Sequence, residues 1–125
     1  MSGSPEAIPD ETPVHRVGGG TVENLALKPA EATLNPPGIS MLRGGTASEA
    51  AEAMRRQFPR MAPRGQTVVG TTTAGQIREA GFDVIMNPTR RFPQHARLIH
   101  PAGAAGFTQE NLQRLAERFH NQGGF

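Results

Sequence analysis

The stretch Asn87-Pro-Thr-Arg-Arg-Phe-Pro-Gln-His-Ala-Arg-Leu-Ile-His-Pro101 decides the fold class, because its proline-bounded loop runs directly into a strand. Alternation places His95, Arg97 and Ile99 on one face of that strand and the intervening residues on the other. Arginine binds phosphate through a planar fork of donors, and histidine titrates near neutral pH. Loops that carry such groups on a rigid frame are common binding sites. The stretch therefore predicts a site for a phosphorylated ligand.

Short apolar runs on either side of this stretch predict further strands, and apolar residues at helical spacing predict helices. The predicted strands are residues 13–18, 38–42, 67–70, 82–86 and 95–100, and the predicted helices are 46–58, a short one from 72 or 73 to 80, and 108–119. Thr46-Ala-Ser-Glu49 fits a capping box at the start of the first helix. The order of these elements predicts a small α+β domain with a mixed or antiparallel sheet of about five strands and two or three helices.

The 125 residues are enough for one domain and too few for two ordinary ones. We expect residues 1–12 to be a disordered leader, residues 13–120 to form the domain, and residues 121–125 to be a flexible tail. The leader is acidic and proline-rich, and it lacks the apolar centre of a signal peptide. No window approaches the roughly 18 apolar residues of a transmembrane helix, so we expect no membrane partner.

Charge is distributed unevenly along the chain, although the net charge is only +2. Residues 1–52 hold seven acidic and three basic residues, whereas residues 53–109 hold eight arginines and only Glu79 and Asp83 as acids. A strongly basic middle indicates either a polyanionic partner, such as nucleic acid, or an arginine-rich solvated surface. The chain has six phenylalanines but no tyrosine or tryptophan, which gives little support to a platform that stacks single-stranded bases.

No metal site is expected, because cysteine is absent and the four histidines are not arranged as His-Glu-x-x-His. His95 and His100 fall on opposite faces of the predicted strand. The glycine run Gly18-Gly-Gly20 lacks the lysine of a phosphate-binding loop. It would still let the backbone approach a ligand closely, so Gly18 is a candidate binding residue.

Two chemistries are open for the basic stretch. In a metal-independent nuclease, His95 would act as a general acid or base while arginines stabilise the phosphorane. In a nicotinamide-dinucleotide site, Arg90 and Arg91 would grip phosphate and His95 would orient a ribose hydroxyl. A purely structural role, in which His95 binds a loop carbonyl, is the third alternative. Ser40 lies between two apolar residues of a predicted strand, and alternation turns it away from them, which indicates either a cleft residue or an ordinary surface serine on a half-exposed strand.

Three short segments resemble a known toxin family. They are Val14-His-Arg-Val17, Pro37-Gly-Ile-Ser-Met-Leu42 and Phe92-Pro-Gln-His-Ala-Arg-Leu-Ile-His-Pro101. Together they resemble small ADP-ribosyltransferase-like toxins of a type VI secretion effector family, and the similarity spans residues 13–119. The resemblance implies a split α+β fold with a cleft for nicotinamide adenine dinucleotide (NAD).

The resemblance also implies roles for individual residues. Ser40 and His95 would be catalytic, and Arg16 or His15 would occupy the first-strand position. Taken together with the glycine run and the basic stretch, the residues expected to bind NAD are His15, Arg16, Gly18, Phe92 and Arg97, and those expected to bind the substrate are Arg90 and Arg91. The wider transferase family typically has a tyrosine against the nicotinamide and an acidic residue late in the site. This chain has no tyrosine, and it has no acidic residue between Asp83 and Glu110.

The leading hypothesis is a bacterial toxin or effector domain that binds NAD, modifies a cytoplasmic macromolecule and arrests growth. The resemblance implies a cognate immunity protein or antitoxin as partner, a nucleic acid or protein as target, and delivery by a secretion system to a cytoplasmic site of action. A metal-independent ribonuclease toxin is the first alternative. A non-enzymatic protein-interaction module is the second.

Overall fold

Six short strands pair into one antiparallel sheet in the computed structural model, which describes residues 7–125. The strands are β1 (Pro13–Val17), β2 (Gly38–Arg43), β3 (Val69–Thr73), β4 (Asp83–Met86), β5 (His95–Ile99) and β6 (His120–Gln122). Their order across the sheet is β4-β5-β2-β1-β3-β6, and every neighbouring pair is antiparallel. The expected α+β class is confirmed. In this order β2 lies between β1 and β5, which are far apart in the sequence.

Five helices and one 3₁₀ turn connect the strands within residues 7–125. The helices are α1 (Val22–Leu25), α2 (Pro29–Ala32), α3 (Ala47–Gln57), α4 (Ala74–Glu79) and α5 (Gln109–Ala116), and the 3₁₀ turn is Gly103–Gly106. The capping box expected before α3 is confirmed, because the Thr46 hydroxyl accepts from the Glu49 amide and the Glu49 carboxylate accepts from the Thr46 amide. Within the described residues, no helix combines the length and apolar character needed to cross a bilayer.

Both faces of the sheet are covered by helices. On one face, α1, α4 and α5 enclose the main core, where Ile39, Leu98 and Leu115 are fully buried. On the other face, alanines of α3 pack with Leu42 in a second, smaller core. The alternation expected in β5 is confirmed, because Leu98 is buried in the main core while His95, which pairs with Leu42, lies on the α3 side.

The third strand begins two residues later and ends three residues later than the sequence predicts. The expected span was 67–70, whereas β3 runs over Val69–Thr73. Thr67 pairs with the C-terminal residue and not with β1, because its amide donates to the Phe125 carbonyl at 3.2 Å and its carbonyl accepts from the Phe125 amide at 3.1 Å. Its hydroxyl donates to the Pro63 carbonyl at 2.8 Å. Thr71–Thr73 pair with β1 instead, and their β-branched side chains suit a strand.

The segment before β1 packs against the domain. Residues 1–6 of the expected leader lie outside the described residues. In the rest of the leader, Ile8 is only 1% exposed and belongs to the main core. Asp10 forms an ion pair with Arg78 of α4, and the Gly75 amide donates to the Asp10 carbonyl at 2.8 Å. Residues 7–12 are therefore held against the domain by the buried side chain of Ile8 and by the polar contacts of Asp10.

The segment after α5 also pairs with the sheet, where a flexible tail was expected from residue 121. It forms β6, which lies beside β3 and raises the number of strands to six. The Phe125 carbonyl accepts hydrogen bonds from the Gly65 amide at 2.8 Å and from Arg55 at 3.0 Å. These partners are distant in sequence, so the polar composition of the segment gives no indication of them.

Candidate functional site

A cleft of about 670 Å³ opens beside β1, β2 and β5, which are neighbours in the sheet. The loop Thr89–Phe92, the end of α3 and the α1–α2 segment form its other walls. Its volume falls within the range of about 300–1,000 Å³ that is typical of sites for small organic ligands. The cleft therefore has the size of a ligand-binding site.

The walls of the cleft combine apolar and charged side chains. The apolar ones include Leu42, Met54, Phe58, Met61 and Phe92. The charged ones, if the histidines are taken as neutral, are Arg16, Lys28, Glu31, Arg90 and Arg91. Because cations outnumber the single carboxylate, the cleft favours a ligand that carries negative charge beside planar or apolar groups.

Arg16 bridges the gap where β1 and β2 separate. The two strands pair only at Val14 and His15, and beyond that point the Arg16 guanidinium extends between them. Its Nε donates to the Asn24 carbonyl at 3.0 Å, and its Nη1 donates to the Ser40 carbonyl at 2.9 Å. Burial lowers the pKa of Arg16 from its ordinary value. The Nη2 group has no acceptor within residues 7–125, so it is available to a ligand.

Ser40 presents its hydroxyl on the exposed side of β2. Its neighbours Ile39 and Met41 are buried in the main core, so alternation turns the Ser40 side chain to the opposite face. The Ser40 carbonyl is held by Arg16, whereas the hydroxyl makes no hydrogen bond within residues 7–125. The hydroxyl is therefore free to bind a ligand in the cleft.

His95 has one ring nitrogen fixed and one free. Nδ1 lies 2.8 Å from the Asn87 carbonyl, and a carbonyl can only accept, so Nδ1 carries the proton in this contact. The neutral ring then presents an unprotonated Nε2, which has no partner within residues 7–125. Burial lowers the pKa of His95 from its ordinary value, and the positive charge of Arg97 lowers it further. Near neutral pH this imidazole is therefore suited to act as a base.

Ser40 and His95 lie on the same face of the sheet without touching. His95 pairs with Leu42, which is two residues from Ser40 along β2. Diagonal neighbours of this kind are separated by about 7–8 Å. No hydrogen bond joins the two side chains, so they do not form the nucleophile–base pair of a hydrolase. They are placed to contact one ligand from two points.

His15 lines the cleft, but both of its ring nitrogens are already engaged. The residue is only 1% exposed. Nδ1 lies 2.9 Å from the Thr71 hydroxyl, and Nε2 lies 3.1 Å from the carbonyls of Gly44 and Gly45. Because those carbonyls only accept, Nε2 donates, and Nδ1 accepts from Thr71. Of the two first-strand candidates, Arg16 rather than His15 offers a free polar group to a ligand.

An aromatic pair lies beside the arginines of the loop. Phe92 belongs to the second core, and its ring stacks on Phe58 with centroids 6.2 Å apart and planes inclined by 23°. The Arg91 guanidinium lies over the Phe58 ring, 5.6 Å from its centroid. Arg90 and Arg91 are both exposed. Phe92 therefore supports the wall of the cleft, and the two arginines border it.

Arg97 and Gly18, both expected to bind a cofactor, do not line the cleft. Arg97 donates to the Pro36 carbonyl at 3.2 Å, and its aliphatic stem packs over Gly38, where a Cβ atom would collide with it. The amide of Gly18 donates to the Val68 carbonyl at 2.7 Å. The amide of Gly20, in the same glycine run, donates to the Asn121 side chain at 2.7 Å. These groups hold neighbouring segments together instead of facing a ligand.

The α1–α2 segment contributes Asn24, Lys28 and Glu31 to the lining of the cleft, and none of the three was a candidate from the sequence. The negative charge of Glu31 acts to raise the pKa of Arg16, against the larger effect of burial. Thr21 before α1 and Pro29 at the start of α2 are ordinary helix-start signals that would have revealed these turns.

No group of three or more His, Asp or Glu side chains within residues 7–125 is arranged to hold a metal ion. Comparison with protein-family models, curated proteins and solved structures gave no significant match to the chain.

Proposed function

We propose that this chain is an ADP-ribosyltransferase-like toxin domain that binds NAD in the cleft and modifies a cytoplasmic macromolecule. The main support is the strand order β5-β2-β1, which gathers His95, Ser40 and Arg16 from three distant segments around one cleft. The family resemblance assigns its three key positions to Ser40, to His95 and to either Arg16 or His15. Burial lowers the pKa of both Arg16 and His95, and perturbed groups gathered in a cleft are typical of functional sites.

The residues of the cleft suit a dinucleotide. Arg16 has one free donor, and Arg90 and Arg91 are exposed arginines that would bind phosphate oxygens. The rings of Phe58 and Phe92 offer apolar surface to planar groups. When bound, NAD supplies an ADP-ribosyl group attached to a positively charged nicotinamide leaving group.

The remaining polar groups would orient the ligand and move a proton. The Ser40 hydroxyl would hydrogen-bond to a ribose or amide group, because no protein atom within residues 7–125 engages it. His95 Nε2 would accept the proton of the incoming nucleophile, since Nδ1 is fixed by the Asn87 carbonyl. Growth arrest would follow from modification of the target, and a cognate immunity protein or antitoxin would neutralise it.

The proposal is tested by incubating the purified chain with adenylate-labelled NAD and a bacterial lysate. We expect label on a macromolecule and loss of NAD, both reduced by about 100-fold or more in His95→Ala, as for loss of a general base. Ser48 and His120 are exposed and lie outside the cleft. Ser48→Ala is therefore the matched control for Ser40→Ala, and His120→Ala is the matched control for His95→Ala. A folded chain that neither transfers label nor consumes NAD would refute the proposal.

Binding can be measured separately from turnover. The chain has no tryptophan or tyrosine, so Phe58→Trp would introduce its sole strong fluorophore at the cleft. We expect NAD to quench this emission in a saturable manner, and nicotinamide mononucleotide to bind more weakly because it lacks the adenylate half. Emission that does not respond to NAD would contradict binding at this cleft.

A metal-independent ribonuclease is the second candidate, favoured by the free Nε2 of His95 beside Arg90 and Arg91. The same reactions distinguish it, because cleaved RNA with unaltered NAD would indicate a nuclease. Expression of the chain in bacteria tests the non-enzymatic alternative. Growth arrest that survives both Ser40→Ala and His95→Ala would indicate an interaction module.

A further inference from the structure

Two large apolar side chains are exposed at the border of the cleft. Phe58 is 36% exposed and Met61 is 66% exposed, and the Met61 amide donates to the Phe58 carbonyl at 2.9 Å. A single exposed apolar residue is ordinary. Here two of them share one turn and line one cleft, which makes the pair a candidate contact surface.

Exposed arginines without ion-pair partners accompany these side chains. Arg56 and Arg60 flank Phe58 in sequence, and Arg90 and Arg91 share the cleft with it. None of the four forms an ion pair within residues 7–125, whereas other exposed arginines, such as Arg64 and Arg114, do. We call Phe58, Met61 and these four arginines the arginine rim.

We propose that the arginine rim is a docking surface for an acidic segment of a protein partner that carries an apolar anchor. The charge of the rim attracts anionic groups such as carboxylates, because its four arginines form no ion pair with an acid of the described residues. Arginine, methionine and phenylalanine are the residue types enriched at protein interfaces. A surface for single-stranded nucleic acid would instead need several exposed aromatics, and the rim has only Phe58.

The geometry also indicates what the partner does to the cleft. Phe58, Met61, Arg90 and Arg91 belong to the rim and to the cleft lining at once. An apolar anchor seated beside Phe58 would take the place of the Arg91 guanidinium, which now lies 5.6 Å from the ring centroid. Arg91 would then turn to a carboxylate of the partner. A bound partner would therefore close the mouth of the cleft and exclude its small ligand.

The probe for this surface is a dye-labelled synthetic peptide in which glutamates flank one central phenylalanine. Fluorescence anisotropy at low ionic strength measures its Kd for the purified chain. We expect binding that weakens by about tenfold when the glutamates are replaced by glutamine, in the Arg90→Ala/Arg91→Ala double variant, and in Phe58→Ala. Arg114→Ala, which changes an exposed arginine of α5, is the matched control and should leave Kd unchanged.

Three outcomes would overturn the proposal. They are absence of peptide binding to a chain shown by circular dichroism to be folded, equal binding of the glutamine peptide, and tighter binding of an oligouridylate of the same net charge. The last outcome would identify the rim as a nucleic-acid surface. The measurement contains no NAD, so a failure of NAD turnover would leave a positive result intact.

Discussion

Replacing Arg16 with methionine should destabilise the junction of β1, β2 and α1 and abolish the proposed turnover of NAD. Arg16 donates to the Asn24 carbonyl at 3.0 Å and to the Ser40 carbonyl at 2.9 Å. A hydrogen bond from a charged donor contributes about 1.5–3 kcal/mol. Part of this loss is offset, because methionine is uncharged and the cost of desolvating the guanidinium at this partly buried position disappears. We expect the free energy of unfolding to fall by about 2–4 kcal/mol, a large part of the usual total of about 5–15 kcal/mol.

Urea denaturation followed by circular dichroism measures this loss, since the chain has no tryptophan to report it. Arg16→Lys keeps the charge but cannot span both carbonyls, so it should lose about half as much stability as Arg16→Met. Arg114→Met, which removes only an exposed i,i+4 ion pair with Glu110, should change stability by less than about 0.5 kcal/mol. An Arg16→Met midpoint equal to that of the unmodified chain would refute the bridging role.

Other predictions concern anchors, close contacts and pH. Ile8→Ala should lower the free energy of unfolding by about 2–5 kcal/mol in the same denaturation, because Ile8 is 1% exposed in the main core; an unchanged midpoint would contradict packing of this segment. Gly70→Ala should lower the free energy of unfolding by about 1–3 kcal/mol in the same denaturation, since a Cβ atom there would collide with the backbone amide of Gly20. Burial lowers the pKa of both His15 and His95 below the value of about 6.5 in unfolded chains. Their contribution to stability is therefore complete above pH about 6.5 and is lost as the pH falls toward and through the folded pKa values. Thermal midpoints across this range check the sign, and a midpoint that rises on acidification would contradict it.

Local sequence signals predicted the elements that are stabilised by contacts between residues close together in the sequence. The capping box at Thr46 and Glu49 defines the start of α3 because both of its hydrogen bonds form within one turn. Alternation in β5 was likewise sufficient to place His95 and Leu98 on opposite faces. The order of the strands was not predictable in this way, because it depends on pairing between segments far apart in the chain. β6 is the clearest case, since its polar residues take their place from pairing with β3.

The same distinction applies to the candidate site. Arg16, Ser40 and His95 were selected by residue type and family resemblance, and the neighbouring positions of β1, β2 and β5 bring them to one cleft. Sequence alone did not reveal that the nitrogens of His15 are engaged, because its partners include the distant Thr71. The stem of Arg97 is held over Gly38 for a similar reason, since that contact exists only after β2 pairs with β5.

The position of β2 between β1 and β5 has a consequence for synthesis on the ribosome. When β1 and β2 emerge, residues 89–99 have not yet been translated, so β2 presents an unpaired edge in the nascent chain. Such an edge invites pairing with other chains, which makes the growing polypeptide a client for chaperones. The cleft has no His95 and no 89–92 wall until β5 closes this edge. A ribosome-bound chain that still lacks residues 89–99 would therefore have no complete cleft, and a ligand could bind there only after these residues emerge.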